Sequence, residues 1–357
     1  MGMPTDVKAI DLMLNIPGEN DSAWYEFMKP LFLDEQSRSV FKMPAQYMFK
    51  QIPHVGQQDD YIAYTVGQMD QWGLDRAMLS IAEDKPITLE AIRRYPDRFF
   101  PSLNVNPNNA MDEVRRIVRM HKEHGIKACT AFPAGLCPQV PINDKRFFPI
   151  YAKCVELDIP ICVTVGIPGP RIPAAPQHCE LVDEVCWFFP ELKFVMRHGA
   201  EPWTELAVKL MLKYENLYYS TSAFAPKHYP KNVVHYANTR GADKIMYAGY
   251  YPMGLSLERI ALAAIPIILA ITVHEAAHGD VARMFGDGTA WMLGRVTLNP
   301  LKHIDPIGTV LVPFATLWLG GFLFGWAKPV PVNFGNLRHP KRDMLWVAAA
   351  GPGANFV

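Results

Sequence analysis

The sequence predicts two architectures in one chain. Residues 1–256 read as an α/β domain, a (β/α)8 TIM-like barrel lacking its last helix, and residues 257–357 as a short all-α transmembrane domain. Three observations predict them. Eight short β-branched or apolar runs alternate with helical patterns along the first 250 residues, and such alternation implies right-handed βα units that close into a barrel. Two later runs, 260–273 and 306–327, contain no Asp, Glu, Lys, Arg or His, and the second is long enough to cross a bilayer. Directly behind the first of these runs, His274-Glu275-Ala276-Ala277-His278 places three ionisable groups in five residues.

Taken in order, the expected strands are 7–13, 76–81, 99–105, 126–131, 159–165, 192–197, 216–221 and 244–249. Helices are expected between them at 59–72, 88–95, 111–124, 146–157, 178–188, 202–214 and 231–239. The eighth helix should follow Gly249, where the uncharged run begins instead. A barrel of this kind carries its site at the C-terminal ends of the strands. On a helix His274 and His278 are one turn apart on one face, so both imidazoles can reach one Zn²⁺ while Glu275 acts as general base on the hydrolytic water. A soluble helix with two capping histidines is the alternative. It leaves ionisable groups in an apolar segment unexplained, where they are costly and usually functional.

Composition narrows the partners. Thirty-five basic and 35 acidic residues leave no net charge, so nucleic acid is not an expected partner. The mean hydropathy of +0.00 averages two unlike halves. All six cysteines (Cys129, Cys137, Cys154, Cys162, Cys179 and Cys186) lie in the first half without a C-x-x-C pair, and read as reduced core thiols of a cytosolic domain. The first residues lack a basic stretch followed by a long apolar run, so no cleavable signal peptide is expected. Asp6 stands where a myristoylation motif wants Ser or Thr.

Residues 1 to about 260 resemble the amidohydrolase-related (amidohydrolase 2) family of TIM-barrel hydrolases and decarboxylases. The resemblance rests on Ala9-Ile10-Asp11, the run from Val165 to Arg171, Phe189-Pro190-Glu191-Leu192-Lys193, His198-Gly199 with Pro202-Trp203, Thr221-Ser222-Ala223, and Asp243-Lys244-Ile245-Met246 leading to Tyr251-Pro252. Where that family has H-x-H this chain has Met13 and Asn15, and Thr164 replaces the His ending the fifth strand. The family's S-D-Y-P reads Gly249-Tyr250-Tyr251-Pro252. Only His198 remains of the ligand positions, and one imidazole does not hold a catalytic divalent ion, so no cofactor is expected in the barrel. Three readings of the mouth stay open. His198 is a lone general acid/base titrating near pH 6 to 7 beside Arg171 as anion clamp for a small carboxylate; or the mouth binds without chemistry; or His198 is structural. Tyr250 fills the vacated metal space as donor or plug. Asp11 is either catalytic or a turn stabiliser.

Residues from about 261 onward resemble the site-two protease family of zinc intramembrane proteases. The matching blocks after His274–Gly279 are Leu293-Gly294-Arg295, the run from Leu298 to Thr309, the run from Gly325 to Asn333, and the run from Ala350 to Phe356. The resemblance implies peptide-bond hydrolysis in the membrane, with zinc held by His274 and His278 and Glu275 as general base. It further implies a membrane-protein substrate, contact with membrane lipid, and a third zinc ligand, an Asp, in a segment beyond Val357. It also implies that a barrel fused before this helix lies outside, whereas six thiols and no signal peptide point to a membrane protein with a cytoplasmic barrel. The expected junction lies near residues 257–261, and a chimeric product with neither activity is the remaining alternative.

Overall fold

The computed structural model describes residues 9–18, 21–39, 45–48, 55–221, 228–252, 276–294, 296 and 332–354. The chain divides into two compact units, Met1–Ala261 and Leu262–Val357.

In the first unit, eight strands form one sheet in sequence order, every neighbouring pair parallel. They are β1 (Ala9–Asp11), β2 (Leu74–Ile81), β3 (Phe99–Asn104), β4 (Ala128–Ala131), β5 (Ile161–Thr164), β6 (Phe194–Arg197), β7 (Leu217–Ser220) and β8 (Ile245–Met246). The sheet curls until its ends meet. Leu12 N–H donates to the Tyr247 carbonyl at 3.1 Å, and Asn15 N–H donates to that of Tyr251 at 2.9 Å. Each strand was expected from the alternation, and β2 begins two residues earlier than its β-branched run suggests.

Seven helices cross between strands 1 and 8 where the periodicity places them: Tyr61–Trp72, Pro86–Arg94, Ala110–His124, Phe148–Glu156, Leu181–Phe188, Thr204–Lys213 and Lys231–Ala237. Local chemistry sets their ends. Asp60 caps the first through Oδ1, which accepts from Ile62 N and Ala63 N, and Gly73 ends it at φ 77°. In Ala110–His124, Val114, Ile117 and Met120 recur on the sheet-facing side and are buried. Between sheet and helices lies the main core, centred on fully buried Phe147, Tyr151, Phe194 and Tyr219. A second apolar cluster fills the barrel interior: Met78, Ala128, Cys162 and Val195, flanked by Leu12, Phe100, Tyr218 and Met246. Strands β2 to β8 each contribute one side chain to that layer, and Leu12, directly after β1, supplies the eighth.

The segment between β1 and Tyr61 carries elements that periodicity does not predict, a 3-10 helix at Asp21–Leu31 containing Pro30 and a short helix at Glu35–Ser39. Met28 and Phe32 pack on Ala134 and Ile172, beyond the C-terminal ends of β4 and β5. The segment therefore covers part of the barrel mouth. Of the six thiols, five are buried, and Cys137 is exposed rather than in the core. Burial pushes the Cys162 thiol up to about 11 and Cys179 and Cys186 to about 12, which keeps them protonated and unreactive.

In the second unit, residues 276–284, Thr289–Met292 and Pro340–Ala354 are helical. Ala282, Leu337 and Val347 form its small core with Val281, Phe285, Val332 and Met344 against them. A buried carboxylate ties its loops together: Asp287 Oδ2 accepts from Asn333 N at 2.6 Å, and Oδ1 from Thr289 N at 3.1 Å and Asn336 Nδ2 at 3.2 Å. Among the described residues no helix is long and apolar enough to cross a membrane. The two uncharged runs at 260–273 and 306–327 lie outside the described residues, as does the expected helix after Gly249.

Candidate functional site

Side-chain alternation determines what lines the barrel mouth. On β6, Val195 belongs to the interior layer while Phe194 and Met196 belong to the outer core, so Arg197 projects inward one level above Val195. By the same parity Ser80, Ser102, Thr130, Thr164 and Ser220 stand above Met78, Phe100, Ala128, Cys162 and Tyr218. The upper layer is thus small and polar, with one long cationic side chain. Thr164 lies beside Arg197 in the parallel register of β5 and β6. Among the described residues no hydrogen-bond acceptor meets the Arg197 guanidinium; it is sensed electrostatically by Cys162, Tyr250 and Asp11. Burial lowers its pKa, yet a guanidinium stays charged at neutral pH. Arg197 was not singled out in the sequence. The available signal was an Arg directly before His198, at the parity of an interior residue.

Asp11 closes the junction of β1 and β8. Its side chain is fully buried; Oδ1 accepts from Met13 N at 2.8 Å and Gly249 N at 2.9 Å. Oδ2 has no hydrogen-bond partner. Burial outweighs those two bonds and the attraction of Arg197, and raises its pKa to about 6. Asp11 therefore stabilises a turn, one of the two roles expected for it, and its carboxyl is poised near neutrality.

His198 and Tyr250 leave the ends of β6 and β8 with left-handed backbones, at φ 68° and 63°. Each costs on the order of 1–3 kcal/mol for a residue with a Cβ, a strain that concentrates at functional sites. Their rings meet edge to face with centroids 5.7 Å apart. The Tyr250 hydroxyl lies 2.8 Å from that of Tyr25, so the mouth-covering segment reaches the same place. Burial, and then the charge of Arg197, pushes the His198 pKa down to about 3. That corrects the expectation of an imidazole titrating near pH 6 to 7: His198 is neutral throughout the physiological range. The turn is held from the neighbouring strand end. Gly166 has φ 108°, and a Cβ there would lie 2.7 Å from the Glu201 carbonyl oxygen.

Arg171, expected as the anion clamp, is engaged elsewhere. It donates to Gln36 Oε1 at 2.6 Å, lies 3.6 Å from Asp34 and sits over the Tyr47 ring at 5.3 Å. It fastens the segment after β5 to the mouth cover. Met13, Asn15, Thr164 and Tyr250 offer a thioether, an amide, a hydroxyl and a phenol, and Thr164 lies beside Arg197 in the register of β5 and β6. Such a donor set does not fit a catalytic divalent ion. Among the described residues no group of three His, Cys, Asp or Glu converges to hold a metal.

In the second unit His274 and Glu275 lie outside the described residues. His278 is described. Its Nδ1 lies 2.6 Å from the Val347 carbonyl oxygen, and because a carbonyl only accepts, Nδ1 carries the proton. A partner of this kind commonly fixes the orientation of a metal-ligating imidazole.

Comparison with known proteins agrees with both halves. Over 108 residues, 30% of this chain, the sequence is 43% identical to the candidate zinc metalloprotease YwhC of Bacillus subtilis, and over 91 residues it is 33% identical to the similarly named Rip2 of Mycolicibacterium smegmatis. The chain covers 44% and 34% of those two proteins, less than half of either. Among solved structures, an uncharacterized TIM-barrel protein of Bordetella bronchiseptica superposes with a TM-score of 0.54 at 20% identity, covering 72% of this chain and 91% of that one. The 5-carboxyvanillate decarboxylase LigW2 of Novosphingobium aromaticivorans, solved with manganese, gives 0.51 at 16% identity, covering 74% and 93%. At these identities the likeness establishes the fold alone. The family profile described as amidohydrolase matches residues 32–287, most of the chain, and the protein belongs to the amidohydrolase family of TIM barrels.

Proposed function

We propose that the barrel mouth is a metal-independent site for a small carboxylate. The observation that carries this is Arg197, an inward guanidinium in a ring of small polar side chains with no acceptor among the described residues. A bound carboxylate would satisfy it with two parallel charge-assisted bonds. Such a ligand would also offset the positive charge that helps keep His198 deprotonated, so the imidazole becomes the better proton acceptor when the site is filled. Burial is the larger cause and remains, which makes the gain partial. His198 is the general acid/base of this reading, and Tyr250 a ligand-facing hydroxyl held by Tyr25. The test is a titration of the chelator-treated full chain with small mono- and dicarboxylates by calorimetry. Arg197→Met should weaken binding about 10- to 100-fold, the value of a charged hydrogen-bonded contact. Binding that ignores Arg197 or requires Mn²⁺ or Zn²⁺ would refute the site.

A second reading is favoured by the 43% identity to YwhC and by the His278 contact. In it, His274 and His278 hold zinc, Glu275 is the general base, and the second unit hydrolyses peptide bonds of membrane proteins from a chain anchored in the membrane with its barrel in the cytoplasm. Bound zinc would supply Lewis-acid chemistry there. What this chain contributes visibly is His278 oriented by Val347. Zinc content of the purified full chain and of His278→Ala, set beside peptide hydrolysis by Glu275→Gln, tests it; zinc that survives His278→Ala would sink it.

A further inference from the structure

We infer that the helix Pro340–Ala354 is an anchor for anionic lipid headgroups. One side of this helix is committed inward: Asp343 and Val347 are buried, and Asp343 Oδ2 accepts from His339 N at 2.7 Å, capping the helix start. The other side is apolar and open, with Leu345 69% and Trp346 53% exposed. One turn earlier on the same stripes stand Lys341 and Arg342, both exposed, with exposed Arg338 just ahead of the helix. Among the described residues none of these three cations has an acidic partner within salt-bridge distance, although ion pairs are plentiful in the first unit. An unpaired basic cluster one turn from an exposed Trp and Leu matches a bilayer interface. The indole and leucyl side chains enter the boundary while the long basic side chains keep their charges among phosphates.

The sequence supports a lipid occupant over a protein one. The uncharged run 306–327 has membrane-crossing length and is followed by Lys328 and then by these three cations, the arrangement of a juxtamembrane basic segment. The inference thus rests on the membrane reading of the second unit, but not on zinc.

The full chain in dodecyl maltoside micelles would be titrated with short-chain phosphatidylglycerol and phosphatidylcholine carrying brominated acyl chains, with tryptophan quenching as the readout. At about fivefold per basic residue, phosphatidylglycerol should bind on the order of 100-fold more tightly at low salt. Lys341→Glu with Arg342→Glu should reduce that preference to near unity, and Trp346→Phe should lower the quenching amplitude. Should the reversed pair misfold, Lys341→Gln with Arg342→Gln gives the same direction of change. Equal affinity for the two lipids, or a preference that persists in these variants, overturns the anchor while leaving the membrane reading intact. A chain that is monodisperse without detergent and quenched by neither lipid overturns both.

Discussion

Replacing Asp11 by Asn isolates the buried carboxyl at the seam between β1 and β8. Its pKa rises from 3.8 to about 6 on folding, so between those values the folded chain holds a proton that the unfolded chain has released. The stabilising contribution is therefore fully present below pH 3.8 and is lost as pH rises through about 6. At 1.36 kcal/mol per unit the loss is about 3 kcal/mol by pH 7.5. Asn keeps an oxygen for Met13 N and Gly249 N but cannot ionise. The variant should thus gain about 3 kcal/mol on wild type between pH 3.5 and pH 7.5, whatever constant offset the amide introduces at Oδ2. Taking this difference cancels His198, which runs the other way: its pKa falls from 6.5 to about 3, so its contribution is present above pH 6.5 and lost as pH drops through about 3. Urea unfolding of both full-length chains across that pH range, following the barrel transition by circular dichroism, measures the difference. Infrared titration gives an independent check, since the protonated-carboxyl band missing from Asp11→Asn should disappear with a midpoint near 6. A stability difference flat with pH, or a midpoint near 4, would refute the account of Asp11 as a desolvated carboxyl.

Gly166→Ala should destabilise the barrel by about 2–4 kcal/mol, because φ 108° and a 2.7 Å approach to the Glu201 carbonyl leave no room for a methyl group; a melting temperature within a degree of wild type would contradict this. Tyr25→Phe removes the hydroxyl that meets Tyr250 and should cost about 1 kcal/mol, read from urea midpoints. Any activity of the barrel should show no His198-dependent ionisation near pH 6.5 in kcat/KM of the free protein, because burial and Arg197 hold His198 deprotonated; a limb at 6.5 that vanishes in His198→Gln would show that the imidazole is solvated. His274→Ala should abolish zinc binding by the second unit while Glu275→Gln leaves it nearly intact, as judged by metal content after dialysis.

The barrel was legible because its strands repeat one physical pattern, short β-branched runs between amphipathic helices, and eight repeats in order leave few ways to fold. The segment at Asp21–Leu31 was not, since a 3-10 helix interrupted by Pro30 carries neither a 3.6 nor a 2 periodicity; its place over the mouth comes from Met28 and Phe32 meeting Ala134 and Ile172 far along the chain. The mouth shows the same division. His198 was visible as the one ligand position kept and Tyr250 as a departure from the motif, and they do meet. Arg197 and Arg171 could not be ranked, because which guanidinium faces the interior depends on the parity of β6 set by Val195, and which one is already occupied depends on Gln36 and Asp34 arriving from the mouth cover. The protonation states were the least accessible. A sequence shows that Asp11 and His198 ionise, but a raised carboxyl and a depressed imidazole follow only from their burial, whole for Asp11 and partial for His198, beside the charge of Arg197. Near pH 7 the guanidinium of Arg197 is cationic and the imidazole of His198 neutral, beside an Asp11 that has largely ionised, and the carboxylate site proposed for the mouth rests on that guanidinium.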